Sequence, residues 1–225
     1  MARRQANTTR SEIISTATRL FLEKGYSATS PKAICDELNM STGNLTYYFQ
    51  TKEHLLAVLV EMLCRFQWKC MQDTVQEGLT SVLAICLELG FMAAMCEEDE
   101  IARDFYTAAY SHPMTLEIIR KNDTQRAKTV FQQYCPNWTE SQFAEAEVLV
   151  SGIEYATLMP TELPVSLEFR IAGALNSILT IYNVPENIRQ IKVKKVLDQD
   201  YRSLGKQVLQ NFKKYVEENS ENYYK

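Results

Sequence analysis

Sixteen residues, Ser41 to Leu56, hold the side chains whose types and spacing could do chemistry: STGNLTYYFQTKEHLL. That chemistry is recognition rather than catalysis. Ser41, Thr42, Asn44 and Thr46 are short and polar, able to contact base edges or phosphate oxygens when a helix end enters a groove. Tyr47 and Tyr48 carry hydroxyls suited to phosphate. Gly43 has no side chain to hold a partner away, and a glycine inside a helix costs about 1 kcal/mol, so its presence asks for a reason. Lys52 stands in the first turn of a following helix, where a cation opposes the helix dipole. A phosphate bound at that terminus would offset the cost. No nucleophile–base pair, metal-ligand spacing or phosphate-cradling loop stands out in the 225 residues, which sets an enzyme aside.

Such side chains need short helices held at a fixed angle, and the flanking sequence supplies the punctuation. Residues 1–8 are polar and basic and read as a disordered arm; its Arg3 and Arg4, with Arg10, could reach a DNA backbone or minor groove. Thr9-x-x-Glu12 reads as a capping box opening a first helix of about 9–24. Ile13, Ile14, Ala17, Leu20 and Phe21 form its apolar stripe, and Gly25 stops it. Ser30-Pro31 starts a second helix of about 31–38. Asn39 suits a left-handed turn, Met40 plugs the core, and Ser41 caps a third helix of about 42–48. Two short helices across a three-residue turn have the spacing of a helix-turn-helix. Leu45 and Phe49 fall inward, and Thr51 reads as the cap of a fourth helix.

Residues 9–56 resemble the N-terminal domain of the TetR family of bacterial transcriptional repressors. The matching positions are Gly25-Tyr26, Thr29, Ile34, Ser41, Gly43, Leu45, Tyr47, Phe49, Lys52, Glu53 and Leu55. Asn39-Met40 replace the family's Gly-Val, Thr46 stands where a tyrosine is common, and Tyr48 stands where histidine is common. The resemblance implies DNA contact at Thr29, Ser30, Lys32, Ser41, Thr42, Gly43, Asn44, Thr46, Tyr47, Tyr48 and Lys52, with phosphate contacts at Lys52 and Tyr47.

The rest of the chain reads as a helical body. Helices are expected over about 51–73, 79–97, 99–111, 114–134, 140–159, 165–183 and a last region of 186–218 that Gly205 could divide. Residues 219–225 are expected to fray. The helix at 79–97 is apolar nearly all round, which places it inside the body. Glu97 to Glu100 form a solvated acidic break, and Thr139-x-x-Gln142 is a second capping box. The six cysteines form no C-x-x-C pair and read as buried thiols of a reducing cytosol. No signal peptide or membrane span is apparent. The net charge of −4 is uneven: residues 1–60 carry seven Lys/Arg against five Asp/Glu, leaving a basic head on an acidic body.

By the same resemblance, two late helices, at about 140–159 and 165–183, form a four-helix dimer interface. The small residues Ala172, Gly173 and Ala174 agree with close packing there. The family's body holds a ligand pocket, for which the candidates are Phe66, Glu88, Phe91, Met95, Phe105, Tyr106, Tyr110, Phe131, Glu154 and Tyr155. Glu88 and Glu154 are lone acids in apolar helices; buried, each must be paired or protonated, and either could meet a cationic or amine ligand. The expectation is therefore an all-α protein with about 9–10 helices. A DNA-binding domain at 1–50 precedes a regulatory domain at 51–225. The protein reads as a cytoplasmic, homodimeric, ligand-responsive repressor. Its partners would be a palindromic double-stranded operator and an unknown small-molecule effector, with no cofactor and no membrane. The alternative is a ligand-independent DNA-binding or scaffolding protein whose body serves only for dimerisation.

Overall fold

The computed structural model describes residues 2–78 and 80–220, residues 2–8 through the backbone alone. These form eleven helices and no strand. The head is α1 (Ala2–Lys24), α2 (Pro31–Glu37) and α3 (Thr42–Tyr48). The body is α4 (Lys52–Val75), α5 (Val82–Glu98), α6 (Glu100–Ser111), α7 (Pro113–Phe131), α8 (Glu140–Leu158), α9 (Leu167–Ile181), α10 (Glu186–Leu197) and α11 (Tyr201–Asn219).

Caps set most of these boundaries. Ser30, Ser41, Ser81, Asp99, Ser166 and Asp200 each accept a backbone N–H of the first turn they precede. Thr139 and Gln142 form the reciprocal capping box expected of them. Asn39 adopts the left-handed conformation at φ 50°, with Met40 N–H donating to Cys35 O and Asn39 N–H to Asp36 O. That pair of bonds is a Schellman closure, and it turns the chain from α2 into α3. Asn183, at φ 55°, closes α9 in the same way.

Three expectations change. α1 begins at Ala2, so Thr9 lies inside a helix instead of capping one; Ala, Arg and Gln are good helix formers and carry the helix through. The side chains of Arg3 and Arg4 lie outside the described residues. Thr51 precedes α4 without a side-chain cap; its hydroxyl meets His54 Nδ1 at 3.0 Å instead. The last helical region divides at Asp198–Asp200, not at Gly205. Gly205 has a packing role: a Cβ there would sit 2.5 Å from Met95 Cγ and 3.2 Å from the Phe91 carbonyl, so its absence lets α11 lie close on α5. At the far end of α11, Ser220 is buried and its hydroxyl lies 2.5 Å from that of Ser11 on α1. Residues 221–225 lie outside the described residues.

The core is built around α5, buried at every position from Val82 to Cys96 except Ile85. α4, α6, α8, α9, α10 and α11 pack on it, while α7 packs on α4, α6 and α8. The acidic run at its end is tied down: Glu97 pairs with Arg170, and Glu98 pairs with Arg202 at 2.6 Å and Lys206 at 3.2 Å. Among the described residues, no helix is long and apolar enough to cross a membrane.

Candidate nucleic-acid interface and body cavity

The head turns one face of α3 outward. Thr42, Gly43, Asn44, Thr46 and Tyr47 are exposed while Leu45 and Phe49 are buried, so the split follows helical periodicity. Tyr47 is 83% exposed and stands edge-on to half-buried Tyr48 with ring centroids 5.2 Å apart. Beyond that one ring contact the Tyr47 side chain faces solvent. Ser30 and Lys32, at the start of α2, are exposed beside this face. Ser30 and Ser41 spend one acceptor lone pair on caps and keep their hydroxyl protons. The Thr46 hydroxyl turns back to Thr42 O at 2.5 Å. Arg10 lays its guanidinium over the Phe49 ring at 5.0 Å, which braces α1 against the end of α3.

Two expected contacts look different in place. Thr29 is 1% exposed, and its hydroxyl donates to Gly25 O at 2.8 Å with Leu20 O at 3.2 Å. Its side chain is structural and cannot reach a duplex. Lys52 donates to Tyr26 O at 2.9 Å and Thr29 O at 3.1 Å and sits 4.0 Å from the centre of the Tyr26 ring. Two of its three N–H groups thus clamp the turn between α1 and α2, leaving one for an outside partner. Burial pushes its pKa down, with Glu53 and Asp104 pulling the other way.

That turn is also held from the body. Gly25, at φ +92°, lets the chain pass within contact of Asp104 on α6. Asp104 Oδ2 accepts Ser27 N–H at 2.7 Å, and its Oδ1 accepts the Ser27 hydroxyl. His112, just past α6, meets the Tyr26 ring at 5.7 Å, and Tyr26 O–H points to Glu53 on α4 at 3.4 Å. The head is therefore gripped at one turn by α4 and α6 together.

Both helices also wall a cavity in the body; about 700 Å³ free of protein atoms lies within it and its mouth, open solvent included. Its lining comes from α4, α5, α6, α7, α8 and α9, with Tyr182 just beyond α9. Of the sequence candidates, Glu88, Tyr106, Tyr110, Phe131 and Glu154 line it. The others do not. Phe66 packs on Phe212 and Tyr215 at 5.6 and 5.0 Å, toward α11. Phe91 and Met95 lie on the side of α5 that faces Gly205. Phe105 is wholly buried in packing, and Tyr155 is on the exposed side of α8. Helical periodicity distinguishes apolar from polar faces, but not which of two apolar faces meets a cavity.

The polar groups that converge here were largely missed. Arg126, in the polar middle of α7, reaches Glu88 at 3.1 and 3.2 Å and Asp123 at 3.3 Å, and donates to the Cys64 carbonyl. Its guanidinium also lies 5.3 Å from the Trp68 ring. Gln67 donates to Tyr106 Oη at 2.8 Å, Tyr110 donates to Glu154 at 3.1 Å, and Tyr182 donates to Glu147. The Phe131 and Tyr182 rings stack 4.2 Å apart. Burial pushes the Glu88 carboxyl up to about 7 against the pull of Arg126, and Glu147 up to about 8, with Asp123 adding to the effect. Burial raises Asp123 as well, and raises Glu154 well above the usual carboxylate range with help from the charges of Asp123 and Glu147. The sequence signal for Glu147 was available: it lies seven residues before Glu154, two turns along one helix face.

An all-helical chain with an exposed α3 behind a Schellman turn, mounted on a larger helical body, defines a DNA-binding regulator of the helix-turn-helix class. Residues 13–59 match the family model described as bacterial regulatory proteins, tetR family, so the chain carries the DNA-binding domain of that family. Comparison with curated proteins returned no match. Solved structures with a similar chain path include a gamma-butyrolactone receptor (an ArpA-like protein), at 19% identity over 92% of this chain and 98% of that one, TM-score 0.45. They also include CprB, a TetR family protein from S. coelicolor A3(2), at 20% identity over 92% and 98%, TM-score 0.43. CprB in complex with its biological operator sequence matches at 22% over 86% and 96%, TM-score 0.44.

Proposed function

We propose that the protein is a ligand-responsive transcriptional repressor with two functional parts, a DNA-binding domain of residues 1–50 and a regulatory domain of 51–225. It acts in the cytoplasm as a homodimer on a palindromic operator, and a small molecule entering the body cavity releases it. The observation that carries this reading is shared walls: α4 and α6 line the cavity and also grip the Gly25–Ser30 turn of the head. A ligand that fits only one setting of α6 therefore favours one placement of α3, which is the differential affinity that release requires.

Direct readout falls to the exposed face of α3, with Thr42, Asn44 and Thr46 toward bases and Tyr47, Tyr48 and Lys52 toward phosphates. The dimer forms through α8 and α9. Val148, Leu149 and Tyr155 on α8 and Phe169 on α9 are exposed apolar side chains, and a Cβ at Gly152 or Gly173 on those helices would meet no atom within 4 Å. An apolar face of this kind on a monomer marks an interaction site. The cavity favours this reading over a ligand-independent protein, whose body would need no interior space. The test is a salt-controlled mobility-shift assay against a palindromic site selected from random DNA, with duplex of unrelated sequence as competitor. Preference for the palindrome, and binding as a dimer, are expected; equal competition by unrelated duplex would refute it.

A further inference from the structure

We propose that the ligand of the body cavity is an organic cation: an amine bearing at least one N–H on an apolar skeleton, its charged end against Glu147 and Glu154. This rests on the reading of the cavity as an effector site and adds the chemical class. Four acidic side chains, Glu88, Asp123, Glu147 and Glu154, line the cavity, with one guanidinium, Arg126, among them. Arg126 is engaged with Glu88 and Asp123. Among the described residues, Glu147 and Glu154, two turns apart on one face of α8, receive tyrosyl hydroxyls alone, from Tyr182 and Tyr110.

The second observation is an orphan. Glu147 is 3% exposed; its Oε1 accepts a hydrogen bond from the Tyr182 hydroxyl, and among the described residues its Oε2 has no hydrogen-bond partner. Buried polar atoms are almost always satisfied, and Glu147 lines the cavity, so its carboxyl is where an entering polar group can complete the bonding. Burial holds the Glu147 and Glu154 carboxyls protonated at neutral pH in the ligand-free protein; an ammonium placed against them favours release of that proton to solvent, and so supplies both a donor and the balancing charge. A neutral ligand supplies no charge, and a carboxylate would add a fifth acid to the site. Apart from Gln67 and the tyrosines, the remaining wall, including Leu89, Met92 and Ile178, is apolar and suits a hydrocarbon skeleton.

The experiment uses the full-length protein and three probes of one skeleton: 4-phenylbutylamine, 4-phenylbutanol and 4-phenylbutyrate. Affinities are read by calorimetry on the wild type and on Glu147→Gln and Glu154→Gln, with circular dichroism confirming that each variant is folded. The amine is expected to bind about tenfold or more tightly than the alcohol, with the carboxylate weakest. Each variant is expected to cut the amine-over-alcohol ratio several-fold, a ratio that a merely structural defect would leave in place. Equal binding of amine and alcohol, or an undiminished ratio in both variants, overturns the cation assignment and leaves the effector reading intact. Absence of binding by all three to their solubility limits overturns both. A mobility-shift arm with the selected palindrome separates them further. An amine that binds with the expected preference but leaves DNA affinity unchanged upholds the cation assignment and refutes the effector reading.

Discussion

Residue by residue, the head shows how one side chain can serve structure and recognition together. Lys52 is a family-pattern position, yet two of its N–H groups bond carbonyls at the α1–α2 turn. Lys52→Ala should lower stability by about 1–2 kcal/mol, because charge-assisted bonds to partly buried carbonyls are lost. Its DNA affinity should fall alike on all sequences. If the third N–H meets a phosphate, the slope of log affinity against log salt falls by about one; an unchanged slope with a lowered melting temperature makes the residue structural only. Thr42→Ala and Asn44→Ala should instead change which sequence is preferred, read by repeating the selection. In the body, Glu147 gives a pH test. Its carboxyl rises from 4.5 to about 8 on folding, so its contribution to stability is complete below about pH 4.5 and is lost as pH rises through about 8. The ligand-free protein should lose stability from about pH 5 to about pH 8, and Glu147→Gln should flatten that loss, as thermal melts across the range would register.

Among the elements, α6 carries the argument, because it holds Tyr106 and Tyr110 on the cavity wall and Asp104 on the head's turn. Asp104→Ala removes two bonds to Ser27, so the stability cost should be modest, about 1 kcal/mol. Its larger effect should be on communication: a cavity ligand should still bind, but change operator affinity less than in the wild type. Gly25→Ala should be costlier, since an L side chain is strained at φ +92° and its Cβ would lie 2.9 Å from Asp104 Oδ2. The helices themselves were readable from the chain because Ser, Thr, Asn, Gly and Pro mark their ends, from Ser30-Pro31 through Thr139-x-x-Gln142. The run through Thr9 shows the limit: a cap signal is overruled when the residues before it also favour helix. The partnership of Arg126 with Glu88, 38 residues apart in sequence, was not readable, because it depends on how α7 is laid across α4 and α8.

For the whole molecule, a basic head on an acidic body matches a protein that meets phosphate at one end only. We propose that two copies join through the body's outer face on α8 and α9. Phe169, 76% exposed, is the test: Phe169→Glu should yield a folded monomer by sedimentation and weaken operator binding, because two heads no longer share one complex. The DNA-reading stretch was visible in sequence because its residues are neighbours along the chain; the cavity was visible only in part, since its polar groups come from separate helices. On this reading the cavity controls the head through α6. It is tested most directly by titrating the selected operator with and without a saturating cavity-binding amine, in the wild type and in Asp104→Ala. Wild-type operator affinity should fall by about tenfold or more on adding the amine, and clearly less in the variant. Equal operator affinity with and without the bound amine in the wild type would contradict it.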